Sequence, residues 1–350
     1  MKLFNILFTL FGVVTVIFFL FQILPGDPAR MMMDQNEDVE QLEIIKKKYG
    51  FDEPILKQYL YYLNDLSIIS IHSKNPEKIN FIRENKYSFT KIYDFQNSTL
   101  VLKFPYLRES YQRRGVKVST IIMDTFPNTV VLAISSILFA TVFGLLLGIL
   151  SALYKETLFD NSIQLFSTFG MSMPSFLSSI IFAWIFGFVL ADITGLNMTG
   201  SLFELDDFGD EYRLELKNLI LPSIVLGIRP IAVISMMMRN SLIETLKKNY
   251  VITAYAKGLS KFEVILNHCL KNSLNPVITA LSGWFASLLA GSVFVEYIFG
   301  WNGLGREIVN SLNLLDVPVI IGAVIVVSFS FIMINIFVDY IYKFLDPRIS

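Results

Sequence analysis

The sequence predicts an all-α membrane protein with six transmembrane helices, from its composition, its long uncharged runs and the charges of its short loops. Of its 350 residues, 53% are hydrophobic and 17% are charged, whereas a soluble domain carries about 25% charged residues. The mean hydropathy is +0.55, so most of the chain suits an apolar environment. The net charge of −1 argues against nucleic acid as a partner. The single cysteine, Cys269, excludes an intramolecular disulfide.

Six runs are long enough to cross a bilayer, which takes about 20 apolar residues in a helix. They are residues 3–26, 125–154, 161–191, 218–238, 272–295 and 317–338. The first run is too long for the apolar part of a signal peptide, and no A-x-A-like cleavage site follows it, so we expect it to be retained. The predicted parts are a first transmembrane helix (1–25), an external segment (26–118), a five-helix core (119–342) and a cytoplasmic tail (343–350).

The charges of the short loops orient these spans. The loop between the fourth and fifth spans, residues 241–275, is rich in lysine, whereas the loop between the third and fourth spans is acidic. The tail also carries Lys343 and Arg348. Short cytoplasmic loops contain an excess of lysine and arginine. The 241–275 loop and both termini are therefore predicted to lie in the cytoplasm, and the long segment after the first span outside it.

The external segment begins with two predicted helices. The first places Leu42, Ile45 and Tyr49 on one face and ends at Gly50. A second apolar stripe follows in the sequence EPILKQYLYYLNDL. From about residue 67 to 108 the sequence is polar and irregular. Its periodicity leaves two alternatives open, a small external subdomain or a mobile loop.

The stretch NYVITAYAKGLSKFEVILNHCLKNSLNPVI, residues 249–278, is charged and contains a glycine near its middle, although it joins two apolar spans. Its first half is a predicted helix, and the residues spaced on one face of it are Tyr250, Thr253, Ala254 and Lys257. Gly258 is suited to end this helix in a left-handed conformation, where a side chain would clash. Ser260 and Glu263 then have the spacing of a capping box for a second helix.

Physical reasoning leaves two interpretations of this helix–turn–helix. It is either an amphipathic loop resting on the lipid or a docking surface for a soluble partner. The small residues Ala254, Ala256 and Gly258 favour docking, because they allow close approach.

Several further motifs follow one another in a consistent order along the chain. They are ILPGDPA, EQLEIIKKKYGFDEPILKQYL, TFPNTVVLAI, GMSMPSF, LPSIVLGIRP, MRNSLIETLKKNYV, VFVEYIFGWNGLGREI, DVPVIIGAV and NIFVDYIYKFLDPRI. Together they resemble the permease subunits of the dipeptide, oligopeptide and nickel branch of ABC importers. Residues 249–278 are similar to the cytoplasmic EAA-type loop of that family. The resemblance implies a type I ABC importer permease fold with a large external loop between the first two helices.

The resemblance also implies a mechanical role. In this family two homologous permeases form the path, two ABC ATPases grip the cytoplasmic loops, and an extracytoplasmic solute-binding protein delivers the substrate. No cofactor is then expected on this chain, because ATP and Mg would bind the ATPases, and the chain has no G-x-x-x-x-G-K-[ST] loop of its own. The expected location is the inner membrane of a bacterium or archaeon. The residues assigned to ATPase coupling are Tyr250, Thr253, Ala254, Ala256, Lys257, Gly258, Leu259 and Ser260.

Two features depart from the family pattern. Ile252 stands where the general EAA pattern has a glutamate, six residues before the glycine, although the peptide branch often lacks this acid. Residues 67–108 replace a shorter, glycine-containing stretch. This insertion leaves the surface that would meet the binding protein undefined.

Arg229 lies in the middle of the fourth span, where a charge costs about 2.5–3.5 kcal/mol on insertion scales. One interpretation is that Arg229 lines the substrate path and attracts a peptide carboxylate. The other is a structural ion pair, a helix-end contact or a position in an outer aqueous funnel.

Three further residues are candidates for the substrate path. Pro174 is predicted to kink the third span, with Ser172 and Ser175 able to satisfy backbone groups that the kink frees. The kink is either a hinge for a gate or only a feature of the helix's shape. Asn335 lies one turn before Asp339 on the last helix, at a spacing that favours hydrogen bonds between helices.

Other patterns do not support catalysis or metal binding. Gly300, Gly303 and Gly305 resemble a phosphate loop only in outline and are predicted to form a turn. His268 and Cys269 are adjacent on a helix and point in different directions, so no metal site is expected. Two alternative functions remain to be compared: an ion-coupled secondary carrier, which would need inverted repeats and acidic residues at the midplane, and a receptor or scaffold that acts through its external segment.

Overall fold

A computed structural model describes residues 2–23, 28–33, 39–76, 78–82, 87–206 and 209–345. The helices are α1 (Lys2–Ile23), α2 (Pro28–Met31), α3 (Val39–Tyr49), α4 (Ile55–Leu66), α5 (Val118–Leu153), α6 (Leu158–Ser172), α7 (Ser175–Trp184), α8 (Ala191–Thr194), α9 (Ile220–Leu246), α10 (Asn249–Ala256), α11 (Lys261–Val264), α12 (Leu270–Ser273), α13 (Asn275–Gly291), α14 (Val293–Phe299), α15 (Leu304–Asn313) and α16 (Val317–Leu345). The strands are β1 (Ile69–Ser73), β2 (Phe89–Asp94), β3 (Ser98–Lys103), β4 (Phe203–Leu205) and β5 (Tyr212–Leu214). Part of the ILPGDPA motif and most of the predicted 343–350 tail lie outside the described residues.

The chain divides into two compact units. The first unit consists of Met1–Asp124 and Ile308–Phe329, and the second of Thr125–Glu307 and Ser330–Ser350.

Within the described residues, three helical segments have the length and hydropathy of membrane spans: Val118–Leu153, Leu216–Leu246 and Val317–Val338. Two bent pairs of helices raise this number to five if each pair is one span: Leu158–Ser172 with Ser175–Val189, and Lys261–Ser273 with Asn275–Gly291. A shorter apolar helical stretch covers Ile6–Phe21. The predicted membrane helices are thus present in the expected order, while the total of six stays a prediction.

The third predicted span is not one kinked helix. Its two helices, α6 and α7, meet at 109°, and Pro174 precedes α7 in an extended conformation with φ −62° and ψ 137°. The predicted bend of the third span at Pro174 is therefore present, but as a break between two helices, because the chain leaves the helix before the proline. The Ser172 hydroxyl donates to the Thr168 carbonyl at 2.9 Å, within its own helix.

Residues 67–108 contain a small antiparallel sheet with strand order β1-β3-β2. Ile69 pairs with Leu102 and Ser73 with Ser98. A bulge follows Lys91 in the pairing of β2 with β3. The chain is mostly helical, as predicted, but the description all-α needs this correction, together with the hairpin of β4 and β5. Of the two alternatives for this region, the structure supports a subdomain.

A cluster of charged and aromatic side chains joins the sheet to α4. The Asp65 carboxylate accepts hydrogen bonds from the Tyr87 hydroxyl at 2.9 Å and from Arg108 Nε at 2.8 Å. The buried Lys103 ammonium donates to the Asp65 and Ser67 carbonyls. Burial lowers the pKa of Lys103 from 10.5 to about 8. These contacts hold the sheet against the helix that precedes it.

A second buried carboxylate in the first unit closes a loop over a long sequence separation. Asp316 accepts hydrogen bonds from the Ser110 hydroxyl and from the backbone N–H groups of Tyr111 and Gln112. Asp316 is only 3% exposed, so these donors replace the water that the carboxylate would otherwise bind.

In the second unit, the glycine-rich stretch after α14 is a capping turn, as predicted. Gly300 ends α14 with φ +67°. The fully buried Glu296 carboxylate accepts hydrogen bonds from the Gly305 and Arg306 N–H groups at 2.7 and 3.2 Å, at the start of α15. A Cβ at Gly303 would stand 2.4 Å from that carboxylate. The glycine therefore leaves room for the buried acid.

The Lys103 environment makes stability depend on pH. The folded-state pKa of about 8 lies below the ordinary 10.5, so between these values the unfolded chain holds more protons, and stability rises with pH. We expect the thermal stability of the full chain in detergent to rise from pH 8 toward pH 10. Solvent screening limits the gain to about 1 kcal/mol.

Lys103→Met should remove this gain, whereas Lys91→Met, at an exposed position on β2, should keep it. Equal pH profiles for the wild type and Lys103→Met would contradict the assignment.

Candidate functional site

The charged stretch after α9 folds as the predicted helix–turn–helix. Helix α10 ends in a turn at Lys257, and Gly258 has φ +84°. Ser260 precedes α11 and forms the full capping box with Glu263. The Glu263 N–H donates to Ser260 Oγ at 3.3 Å, and the Ser260 N–H donates to the Glu263 carboxylate at 2.9 Å. The left-handed glycine and the capping box are thus confirmed.

The segment then returns to the membrane helix α13 through a π-helical turn, Ile265–Cys269, and α12. The Tyr250 hydroxyl accepts a hydrogen bond from Asn272 Nδ2 at 2.9 Å, which ties the first helix to the returning chain. The Ser273 and Thr245 hydroxyls are hydrogen-bonded at 3.1 Å, between α12 and the end of α9. These two hydrogen bonds therefore hold together the two ends of the helix–turn–helix segment that follows α9.

The underside of the helix–turn–helix packs on the membrane helices. Val251, Ala254, Val264 and Cys269 are buried in one cluster, together with Met238 of α9 and others. The predicted grouping of Ala254 with Tyr250 and Lys257 is wrong in this respect, because Ala254 is 4% exposed and faces the core. Its small side chain brings α10 close to α9 instead of lying on the outer surface.

The opposite side forms an exposed surface, which we call the coupling tip. Its members are Tyr250, Thr253, Ala256, Lys257, Gly258 and Ser260, with Leu259 half-buried beside them. A Cβ at Gly258 would meet no heavy atom within 4 Å, so no packing within the chain requires the glycine. Only its backbone conformation does. The tip is a rigid, shallow projection above a buried base.

An ion pair that the sequence analysis did not identify lies between α6 and α9. Arg239 Nε and Nη2 donate to the two Asp160 carboxylate oxygens at 2.7 and 2.6 Å. The Asp160 carboxylate also accepts from the Ser151 hydroxyl and from the Glu156 N–H. Its side chain is 1% exposed. The sequence feature that could have indicated a structural role for Asp160 is its position three residues after Thr157, the N-cap of α6.

Arg229 borders a cavity of about 150 Å³ in the second unit. None of the residues that line this cavity is acidic. In the described part of the chain, the buried Nε of Arg229 has no hydrogen-bond acceptor. The structural ion pair considered from the sequence is therefore absent among the described residues. Arg229 borders this partly polar space together with Ser175 and Ser178.

The other path candidates do not gather around one point. Ser172 and Pro174 are exposed and lie at the break between α6 and α7. The exposed Asn335 donates from Nδ2 to the Phe331 carbonyl at 2.8 Å, in its own helix. The hydrogen bond between helices predicted for Asn335 and Asp339 stays a prediction, because the Asp339 side chain lies outside what the structure describes. Only Arg229 among these candidates lines the cavity.

The described residues contain no group of three or more His, Cys, Asp and Glu side chains that could hold a metal ion. His268 is exposed while Cys269 is buried, as expected for neighbours on a helix.

The chain thus combines apolar helices of membrane-spanning length with a charged projection between two of them. Residues 144–350 match the family described as binding-protein-dependent transport system inner membrane component. Residues 1–81 match the corresponding N-terminal family. The chain belongs to this family of transport-system inner membrane components.

Proteins similar over nearly their full length are permease proteins of bacterial transport systems. The di/tripeptide transport system permease protein DppB of Pseudomonas aeruginosa is 32% identical, over 97% of this chain and 95% of that protein. The glutathione transport system permease protein GsiC of Escherichia coli K12 is 30% identical, over 99% and 97%. The probable D,D-dipeptide transport system permease protein DdpB of the same organism is 28% identical, over 97% and 93%.

Among solved structures, an inward-facing form of the MetNI methionine ABC transporter matches with a TM-score of 0.53. The match covers 65% of this chain and 97% of the other chain, at 15% identity. It shows the type I ABC importer permease fold. The family and the fold support the importer permease and not the ion-coupled carrier.

The Asp160–Arg239 pair should be important for stability. Asp160→Asn leaves a largely buried arginine without its counter-ion, and breaking such a pair costs about 3 kcal/mol or more. Thermal unfolding of the purified chain in detergent measures this loss. Glu244→Gln on α9 is the control, because it breaks an exposed contact with Lys248 worth about 0.5 kcal/mol or less. Equal effects of the two substitutions would contradict the structural role of Asp160.

Proposed function

We propose that this chain is one permease subunit of an ATP-driven importer for peptides or related small solutes. It would pair with a second homologous permease, associate with two ABC ATPase subunits and receive substrate from an extracytoplasmic solute-binding protein. The names of the similar permeases from P. aeruginosa and E. coli support peptides as the substrate class. The chain would lie in the inner membrane of a bacterium or archaeon, with both termini in the cytoplasm.

The coupling tip is the observation that carries this proposal. It is exposed, it is held by a capping box, and its base is packed against α9. A rigid projection of this kind transmits displacement to the membrane helices, because its buried underside cannot move without them. The side chains offered to an ATPase are Tyr250, Thr253, Ala256, Lys257, Leu259 and Ser260, around Gly258. Ala254 lies on the buried side and would set the distance between α10 and α9.

In this proposal the chain binds no cofactor. ATP and Mg would bind the partner ATPases, and the permease would contribute the path and its movement.

Lysine side chains at and beside the tip, Lys257 and Lys261, are exposed and would meet carboxylates of the ATPase.

The test is co-purification of the tagged chain from its native cell, with partners identified by mass spectrometry. The wild type should recover a P-loop ATPase, and Gly258→Leu should lose it. Gly195→Leu is the matched control. Gly195 also has a positive φ, +65°, and open space at its Cβ, so both variants carry backbone strain of about 1–2 kcal/mol.

The comparison separates docking from folding. Loss of the ATPase in both variants would indicate general destabilisation, and its retention in both would place the contact elsewhere. A well-folded wild-type chain that recovers no P-loop ATPase would overturn the importer proposal itself.

A further inference from the structure

Within the part of the chain that the structure describes, the buried Nε of Arg229 has no hydrogen-bond partner. The residue lies inside α9, directly before Pro230, and its side chain is half-buried. Its Nε is buried without an acceptor in the described part of the chain, and no acidic residue lines the cavity beside it. A buried arginine is normally matched by a carboxylate or a phosphate. Arg229 instead borders an open cavity that has no acidic residue in its lining.

A second positive element faces the same cavity. Helix α7 has ten residues, begins at Ser175, and has no side-chain cap because Pro174 precedes it. Within the described residues, the Ser175, Phe176 and Leu177 N–H groups have no acceptor, and the first hydrogen bond at this end is from Ser178 to the Pro174 carbonyl. Unpaired N–H groups at a helix start carry partial positive charge. Ser175 and Ser178 line the cavity together with Arg229.

The size and walls of the cavity restrict what it would hold. Its volume is about 150 Å³, and an apolar cavity of about this size in another protein holds one benzene-sized molecule. Trp284 and Leu226 supply apolar walls, and Ser287 adds a third hydroxyl. The space is therefore sufficient for a carboxylate and the carbon atoms next to it.

We propose that the Arg229 cavity is a subsite for the C-terminal carboxylate of a peptide in transit. The proposal rests on the proposed function, because it needs a peptide that passes through this permease. The planar guanidinium matches the two carboxylate oxygens, and the Ser175 hydroxyl and N–H at the start of α7 donate to the same anion. Ser178 only borders the cavity, because its N–H and hydroxyl both donate to the Pro174 carbonyl. The broken third span thus places a helix N-terminus opposite the one arginine that lines the cavity.

A comparison of a peptide that has a free carboxylate with its neutral amide tests this subsite. The complete importer, with its partner subunits and binding protein, is reconstituted in proteoliposomes, and uptake of Ala-Ala is compared with uptake of Ala-Ala amide. We expect Arg229→Gln to reduce Ala-Ala uptake about tenfold or more and amide uptake less than about twofold, because only the free peptide has a carboxylate to lose. The binding protein is the same throughout, so its own preference cancels in the ratio.

Two further variants control for folding and for general charge. Arg229→Lys keeps the charge but not the planar fork, so Ala-Ala uptake should lie between the wild type and Arg229→Gln. Arg213→Gln removes an exposed arginine and should leave both uptakes unchanged. An equal reduction of Ala-Ala and amide uptake by Arg229→Gln, or no reduction of either, would overturn the proposal.

A binding measurement that does not depend on transport separates the subsite from the proposed function. With Trp184 and Trp301 replaced by Phe, Trp284 fluorescence reports on the cavity. Iodide should quench it more in the wild type than in Arg229→Gln, and neutral acrylamide should quench both equally. If the wild type takes up neither peptide, the peptide function fails, and the quenching decides whether an anion site exists. Equal iodide quenching would exclude the site.

Discussion

A polar group buried in an apolar chain must find a partner, and this requirement determines where the helices of this protein end and how they are joined. The carboxylates of Asp160, Glu296 and Asp316 each accept donors from a loop or a helix start. Without these donors each acid would lose the hydration of its charge without replacement. The acids therefore fix the positions of the loops and helix starts that they bind. Apolar packing alone would not fix these positions, because apolar contacts have no preferred direction.

Arg229 is instructive because it departs from this rule. Among the described residues, a buried acid pairs with Arg239 and none pairs with Arg229, although both arginines belong to α9. The first arginine joins two helices of the chain, whereas the second borders a cavity. The same helix thus combines a structural charge near the coupling tip with an unmatched charge farther into the apolar core.

Local sequence chemistry predicted the features that depend on a few neighbouring residues. Gly258, the Ser260–Glu263 capping box and the end of α3 at Gly50 were all predicted from spacing. The sheet at residues 67–108 was not predicted. Its exposed face carries the apolar side chains of Ile69, Ile71 and Leu102, which obscure the alternation of apolar and polar residues that is typical of a strand. The inward position of Ala254 and the Asp160–Arg239 pair depend on tertiary packing. Asp160 and Arg239 are 79 residues apart in the sequence. Helix and strand periodicities relate only residues within one element, so they cannot indicate this pair.

The Asp316 contact also has a consequence for the order in which the chain is made. Ser110 and its partner Asp316 are 206 residues apart, so the first unit is incomplete until the start of α16 has been synthesised. At about 5–20 residues per second, that interval lasts roughly 10–40 s. During this time the Ser110–Gln112 segment has none of the three hydrogen bonds to Asp316. The segment after the first helix is thus among the earliest parts to leave the ribosome and among the last to reach its final structure.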